Sequence, residues 1–259
     1  MSNRQKDWVL MLGWPLIAGA ACLYFHFNFV VSIVFFYIIP SIYISVKVPG
    51  QIKRASVMAL VGSLLWSTLD YIWELTGAWG LISISQFKVF GVVSIEAFIW
   101  SFFWMYFIII FYEYFFEKTR KSQTTTKTTK ELLLTTILIF IFVGIIVTFF
   151  YKNLAVPYSY SVLGTLCAIP FFIVFLHYRK IRVRLFHAGL YFSYATLIYE
   201  VVGLYLRYWW FPEQGQFLLR FNFYGFVIPL EEIVLWIILS AVSIISWYEF
   251  FDDDRKIKF

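Results

Sequence analysis

Long apolar stretches separated by short polar segments make up most of this chain. Eight such runs are visible: Trp8–Phe25, Phe29–Val46, Ala55–Leu75, Gly91–Phe116, Leu132–Tyr151, Ser161–His177, Leu185–Leu206 and Gly225–Phe250. Most of them reach or approach the ~20 residues that a helix needs to cross a bilayer. Continuous apolar runs favour membrane helices over membrane strands, in which apolar and polar positions alternate. The pattern predicts an all-α membrane protein with eight transmembrane helices.

The composition and the charge distribution add an orientation to this picture. Hydrophobic residues make up 61% of the chain and charged residues 14%, and the mean hydropathy is +0.78, which is unlike a soluble domain. Of the 21 basic residues, all but Lys88, Lys152, Arg207 and Arg220 fall in the segments on one side of the predicted membrane. The positive-inside rule then predicts a multi-pass protein of the cell membrane with both termini in the cytoplasm. The net charge of +6 reflects this topology and does not indicate a nucleic-acid partner.

The chain contains an internal repeat. Four features recur 130 residues later: Ile39-Pro40 as Ile169-Pro170, Arg54 as Arg184, Asp70 as Glu200, and Trp79 as Trp209. The fourth and eighth runs match without a gap at a spacing of 136 residues: Glu96 with Glu232, Trp100 with Trp236, and Tyr112-Glu113 with Tyr248-Glu249. Matches that keep their order predict a duplication. We expect two parallel four-helix repeats, 1–116 and 132–259, joined by a cytoplasmic linker, 117–131, and related by a pseudo-two-fold axis along the membrane normal.

Five acidic residues inside the predicted spans are the candidate functional groups. Glu231 and Glu232 follow Pro229 at the head of the last apolar run, and Asp70, Glu96 and Glu200 lie at similar predicted depth near the outer surface. An ionisable group within a membrane span costs several kcal/mol, so it usually faces a cavity and has a function. Pro229 and the two glutamates also suit an ordinary helix start, and that alternative has about even weight when this stretch is taken alone. Because the acidic positions recur in both repeats, we expect one shared cavity.

These motifs together resemble the membrane-integral lycopene cyclase family, which has heterodimeric bacterial, fused archaeal and fungal forms. The motif that carries the resemblance begins with an acidic residue and a tryptophan, which are separated by eight residues. An outer loop follows, and then the sequence Pro-x-Glu-Glu. The second copy matches with Glu200, Trp209 and Pro229-Leu230-Glu231-Glu232. The first copy departs from the motif, because a gapless alignment puts Val93 and Ile95 in place of the proline and the first glutamate.

The resemblance implies a redox-neutral cyclisation of a membrane-embedded polyene such as lycopene, with no cofactor and no metal. A neutral carboxylic acid protonates the terminal double bond, the carbocation closes a β-ionone ring, and a carboxylate accepts the released proton. We expect Glu231 to be the proton donor, because it alone has no carboxylate counterpart in the first copy. Glu232 and Glu96 would assist it, and Asp70, Glu96 or Glu200 would accept the proton. Four tryptophans near these carboxylates are the expected substrate-binding residues: Trp79, Trp100, Trp209 and Trp236.

A second functional class stays open beside the enzyme. The departure in the first copy favours a non-catalytic membrane subunit that binds a carotenoid or lipid, whereas the intact second motif favours the cyclase. Three scattered histidines and the absence of Gly-x-Gly-x-x-Gly argue against di-iron, haem and flavin chemistry. The two cysteines, Cys22 and Cys167, lie in predicted spans and suggest no disulfide framework. Lipids are expected partners, and a homo-oligomer or a membrane complex is left open.

Overall fold

The computed structural model describes residues 2–89, 91–117, 138, 142, 158–212, 217–223 and 225–251, and these residues are mostly helical. The α-helices are α1 (Asn3–Phe25), α2 (Phe29–Ile33), α3 (Ile39–Ser45), α4 (Ile52–Leu75), α5 (Ile95–Phe115), α6 (Ser159–His177), α7 (Arg179–Tyr205) and α8 (Ser240–Phe251). Two π-helical segments, Val34–Ile38 and Glu232–Ile238, precede α3 and α8, and a 3-10 turn, Pro49–Gln51, precedes α4. The predicted fifth span, Leu132–Tyr151, and all of the predicted linker except Glu117 lie outside the described residues, apart from Leu138 and Phe142.

Four helical segments are long and apolar enough to cross a membrane. They are Asn3–Phe25 (23 residues), Pro49–Leu75 (27 residues), Ile95–Phe115 (21 residues) and Ser159–Leu176 (18 residues). The π-helical segment Glu232–Ile238 and the following Ser240–Glu249 pass the same test only together, with a bend of 47° between them, and then make a fifth span. Phe29–Ser45 is apolar but shorter, and α7 begins with basic residues and carries Glu200 in its apolar part. The described residues therefore support a multi-pass membrane protein, and the number eight stays a prediction.

Side-chain caps explain where several helices begin. The Ser2 hydroxyl accepts a hydrogen bond from Gln5 N, and the Gln5 side chain accepts one from Ser2 N, which together form a capping box. Asn28 Oδ1 caps α2 by accepting from Val31 N at 3.0 Å. Ser94 Oγ caps α5 by accepting from Ala97 N at 3.1 Å. The α5 cap lies directly beside the acidic residues of the first repeat.

Short antiparallel strand pairs occupy the segments that connect the helices at the end of the bundle near the acidic residues. The strands are β1 (Gly80–Leu81), β2 (Lys88–Val89), β3 (Val93–Ser94), β4 (Trp209–Trp210), β5 (Arg220–Phe223) and β6 (Phe226–Pro229). They pair as β1 with β4, β2 with β3 and β5 with β6. Gly91 and Gly225 have positive φ in the two hairpin turns, a conformation that glycine adopts without strain. The predicted fourth and eighth runs were therefore drawn too long at their starts, because Val93–Ser94 and Phe226–Pro229 are strands.

Helix α5 forms the centre of the bundle. In the most apolar 18-residue stretch of α5, 72% of the residues are buried inside the protein. The corresponding share is 28% for α1 and 28% for α6. A helix that is hydrophobic on all sides is expected at such a buried position. Helix α5 contacts α4, which carries Asp70, and it also contacts α8. Helix α7, which carries Glu200, contacts the π-helical segment that begins with Glu232.

Candidate functional site

Three of the predicted carboxyl groups lie together in one cavity. Asp70 comes from α4, Glu200 from α7 and Glu232 from the start of the π-helical segment. Their exposed fractions are 0%, 1% and 5%, and none of them pairs with a lysine or arginine within the described part of the chain. The cavity has an empty volume of about 380 Å³. Its lining combines the three carboxyl groups with aromatic rings: Phe29, Trp66, Asp70, Trp73, Trp79, Trp100, Tyr160, Glu200, Trp209, Glu232 and Trp236.

Glu232 and Glu200 each accept a hydrogen bond from an aromatic side chain. The Tyr160 hydroxyl donates to Glu232 Oε2, and Trp209 Nε1 donates to Glu200 Oε1 at 2.8 Å. Glu200 Oε2 accepts no hydrogen bond from the described residues. Both carboxyl groups are buried and line the same cavity, so two negative charges there would repel each other. The pair therefore favours a state in which at least one of the two carboxyl groups carries a proton.

Asp70 stands apart from this pair in its bonding. It is fully buried, and neither of its carboxyl oxygens accepts a hydrogen bond from the described residues. The indole of Trp66, four residues earlier on the same helix, lies near the Asp70 carboxyl, but its Nε1 is also without a hydrogen-bond partner. Buried polar groups are nearly always satisfied, and leaving one unsatisfied costs about 1–3 kcal/mol. Both oxygens of Asp70 therefore remain without a hydrogen-bond partner among the described residues.

Indole rings surround the carboxyl groups as a continuous layer. The ring centroids of Trp100 and Trp236 are 5.0 Å apart, and the Trp66 ring lies 5.5 Å from that of Trp236. Trp73 packs on the Tyr160 ring at 4.7 Å, directly beside the hydroxyl that binds Glu232. The faces of tryptophan rings attract cations more strongly than other aromatic faces do. This layer can stabilise positive charge that develops next to the carboxyl groups.

Glu231 and Glu96 do not line the cavity, which corrects the expectation that all five acidic residues share it. Glu231 Oε1 accepts from Ser161 Oγ at 2.6 Å and from Leu218 N at 2.7 Å. Glu96 accepts from Ile84 N at 2.9 Å and from the adjacent Ser85 N at 2.5 Å, and also from the Ser83 hydroxyl. Each of these two carboxylates therefore anchors the outer loop of its own repeat.

A π-helical segment explains why the gapless alignment paired the wrong glutamates. Glu96 lies two residues after the end of strand β3, and Glu231 lies two residues after the end of strand β6. The two glutamates therefore occupy equivalent positions, and their spacing is 135 residues. The π-helical segment Glu232–Ile238 then takes up one extra residue, and the spacing becomes 136 by Trp236. Glu96 is therefore the counterpart of Glu231 in its contacts, and Ala97 takes the place of Glu232. The acid that has no counterpart in the first repeat is Glu232.

A second, larger cavity continues from the first. It is an apolar groove with an empty volume of about 1090 Å³, and it shares Trp66, Trp73, Tyr160 and Trp236 with the acidic cavity. Its wall on α4 runs from Met58 to Trp73, which at 1.5 Å per residue makes the groove roughly 20 Å long. The other lining residues come from α5, α6 and the last helical segments: Met105, Ile109, Gly164, Cys167, Ala168, Leu235, Ser240, Ser243, Ile244, Trp247 and Tyr248. Such a groove fits an elongated apolar chain with one end at the carboxyl groups.

All four predicted tryptophans line the acidic cavity, but four further lining residues were missed: Phe29, Trp66, Trp73 and Tyr160. Trp66 and Trp73 flank Asp70 at spacings of four and three residues, which places them on one face of α4, so this signal was present in the sequence. Tyr160 comes from a different helix, and no sequence signal connects it to Glu232. Among the described residues, no group of three or more His, Cys, Asp or Glu side chains has the arrangement of a metal site.

Comparison of the chain with protein-family models, with curated proteins and with solved structures finds no match.

Proposed function

We propose that this chain is an integral-membrane carotenoid cyclase that forms β-ionone rings on lycopene or a related polyene. The observation that carries this function is the acidic cavity itself. Three buried carboxyl groups lie inside a layer of indole rings, and the cavity continues into an apolar groove. A reaction that proceeds through a carbocation needs an acid, a cation-stabilising surface, a base and the exclusion of water. The described residues supply a group for each of the first three roles.

Glu232 is the proton donor in this mechanism, in place of the Glu231 expected from the sequence. It accepts a hydrogen bond from Tyr160 and lies in the same buried cavity as Glu200, and repulsion between two negative charges there keeps a proton on the pair. The proton passes to the terminal double bond of the polyene, whose π electrons form the new C–H bond. A tertiary carbocation results beside the indole rings. Glu200 is the neighbouring carboxyl group, and Trp209 Nε1 holds it in place by donating to its Oε1 at 2.8 Å.

Ring closure and proton loss complete an isomerisation without a cofactor. The next double bond attacks the carbocation, so one C–C bond forms and the positive charge moves onto the new ring. Asp70 then removes a ring proton, and the electron pair of that C–H bond becomes the ring double bond. Its two unpaired oxygens make Asp70 the accessible acceptor within the cavity. Proton uptake and release balance, and substrate and product have the same composition.

The proposal also includes the architecture predicted from the sequence. It has two parallel four-helix repeats, 1–116 and 132–259, with eight spans in total. Reciprocal contacts between equivalent residues support it. The Tyr112 hydroxyl donates to Glu249 Oε1 at 2.6 Å, and the equivalent Tyr248 hydroxyl donates to Glu113 Oε1. Strands β1 and β4 pair so that Gly80 lies opposite Trp210, its own equivalent 130 residues later. A two-fold axis produces such exchanges, since residue i then contacts j′ and j contacts i′.

Location in the cell membrane with both termini in the cytoplasm is proposed from the charge distribution. The apolar groove would then lie within the bilayer, where a lipid-soluble polyene is dissolved. Lipids are the surrounding partners, and no sequence or structural feature selects between a monomer and a homo-oligomer. The competing function is a carotenoid-binding subunit without activity, which needs the groove but not the carboxyl pair.

Expression in a lycopene-accumulating host, followed by pigment analysis in normal and deuterated water, separates these functions. A cyclase converts lycopene into ring-containing product, and each ring carries one deuterium when the acid has exchanged with deuterated water. A binding subunit leaves lycopene unchanged. The chain with Trp210→Phe is a suitable control, because Trp210 is 46% exposed and does not line the acidic cavity.

A further inference from the structure

Among the described residues, the apolar groove lies on one side of the bundle and its repeat-equivalent positions on the other side are filled. Small residues open it: Gly62 on α4, Cys167 on α6, and Ser240 and Ser243 on α8. Their equivalents in the other repeat are all aromatic. Gly62 corresponds to Phe192, Cys167 to Tyr37, Ser240 to Trp104 and Ser243 to Phe107.

These four aromatic residues fill the equivalent space. Their exposed fractions are 2% or less, and they form one continuous cluster. The ring centroids of Tyr37 and Trp104 are 5.3 Å apart, those of Trp104 and Phe192 5.5 Å, and those of Phe107 and Phe192 5.5 Å. Within the described part of the protein, a polyene that enters the groove on one side therefore finds the equivalent space on the other side filled by aromatic rings.

The acidic centre is also single. Asp70 and Glu200 are repeat equivalents, yet both line the same cavity. Trp100 and Trp236 are equivalents as well, and they contact each other at 5.0 Å. The two repeats therefore build one acidic centre near their pseudo-two-fold axis, with one groove that leads to it.

We infer that this chain acts on one end of its polyene in each binding event, an inference that rests on the proposed cyclase function. A substrate with two linear ends must be released after the first ring forms, and it must turn round before the second end can enter. Monocyclic product is then an obligatory free intermediate. A protein with two such grooves could instead process both ends of the polyene in turn without releasing it.

A pulse–chase experiment in lipid vesicles tests the release step. The protein receives isotope-labelled lycopene, and a large excess of unlabelled lycopene follows at an early time. Label that has reached the monocyclic product is expected to stay there, because the free intermediate competes with the excess for one groove. Passage of that label into bicyclic product at an undiminished fraction overturns the inference. If no cyclised product forms at all, the proposed function is wrong, and the inference of one end per binding event is wrong with it.

The rate of chemical modification of Cys167 measures occupation of the groove separately from catalysis. The chain has two cysteines, and Cys22 is fully buried whereas Cys167 lines the groove. In a Cys22→Ser background, lycopene-loaded vesicles are expected to slow modification of Cys167 by N-ethylmaleimide relative to empty vesicles. Protection without cyclised product would retain the groove as a polyene site and reject the cyclase. Equal modification in both vesicles would reject the groove as the polyene site.

Filling the groove provides the matched substitution. Ser243→Phe introduces the side chain of its repeat equivalent into open space, and we expect cyclisation and Cys167 protection to fall roughly tenfold or more. Ile238→Phe is the control on the same helical run, because Ile238 is 47% exposed and does not line the groove. Cys167→Tyr, which copies Tyr37, is a second filling variant for the cyclisation assay. Normal cyclisation by a folded Ser243→Phe protein, judged by thermal unfolding, contradicts the assigned groove.

Discussion

At the scale of single residues, two adjacent glutamates have different surroundings. Glu232 faces the acidic cavity and is bound to Tyr160, whereas Glu231 accepts a backbone N–H from Leu218 and anchors an outer loop. Both are buried, so burial alone does not separate their roles. Their positions and hydrogen-bond partners do, because only Glu232 of the two lines the cavity.

Glu232→Gln is expected to abolish cyclisation while leaving folding intact. The amide keeps the shape and can still accept from Tyr160, but it cannot donate a proton as an acid does. General acid catalysis typically contributes ~10²–10⁴-fold, so product formation in vesicles should fall by about that factor. Glu231→Gln is the matched control, and we expect it to stay within roughly tenfold of the unchanged protein. If Glu231→Gln is inactive and Glu232→Gln is active, the donor has been assigned to the wrong residue.

Asp70→Asn tests the assigned base. The amide cannot take a proton from the ring, so we expect the rate to fall by ~10²-fold or more, as for loss of a general base. Because Asp70 makes no hydrogen bond to the described residues, its neutral replacement should not lower the thermal unfolding midpoint. An active Asp70→Asn protein would move the base to Glu200.

At the scale of elements, the π-helical segment Glu232–Ile238 determines which glutamate enters the cavity. It adds one residue between the start of the last helix and Trp236, compared with the first repeat. Each residue turns an α-helix by about 100°, so one inserted residue changes which side chain faces the centre. π-helical turns within helices are frequent at functional sites, in agreement with this placement.

Deletion of Val234 should abolish cyclisation without unfolding the protein. The deletion gives the last helix the residue spacing of the first repeat, so the segment can become α-helical and Glu232 turns away from Trp236. Val234 is 37% exposed, and its loss removes little packing. Product formation and thermal unfolding should be measured for this protein and for Val234→Ala, which shortens the side chain but keeps the spacing. Normal activity after the deletion would show that the π-helical segment is not needed to position Glu232.

At the scale of the whole molecule, two polar contacts at the opposite end of the helices exchange equivalent residues of the predicted repeats. Tyr112 donates to Glu249, and Tyr248 donates to Glu113. Arg54 lies over the Tyr248 ring at 5.3 Å, and its repeat equivalent Arg184 interacts with Tyr112. These exchanges join α5 to α8, so each repeat helps to hold the other.

Tyr112→Phe and Tyr248→Phe are expected to destabilise the protein by similar amounts. Each removes one buried hydrogen bond to a carboxyl group, which is worth about 1.5–3 kcal/mol. Thermal unfolding in detergent measures the two losses. Tyr24→Phe is the control, because Tyr24 is 79% exposed. A large loss for one variant and none for the other would contradict equivalent contacts.

Membrane topology is a separate whole-molecule prediction. Cysteines introduced at Lys121 and Arg182, in a background without Cys22 and Cys167, should react with a membrane-impermeant maleimide from the cytoplasmic side. A cysteine at Leu218, which is 66% exposed in an outer loop, should react from the other side. Labelling of 121 and 182 from opposite sides would rule out two parallel four-helix repeats.

The amino-acid sequence by itself indicated the membrane class, most helix positions and four of the six tryptophans of the indole layer. Apolar run length and recurring residues are local properties, and burial in lipid or protein follows from them directly. The tertiary structure decided that Glu232, not Glu231, faces the cavity, that Tyr160 binds it, and that the groove opens on one side. These outcomes depend on the turn count along a helix and on side chains from distant segments. One extra residue in a π-helical turn, or a serine in place of an aromatic ring, changes them without changing the apolar pattern.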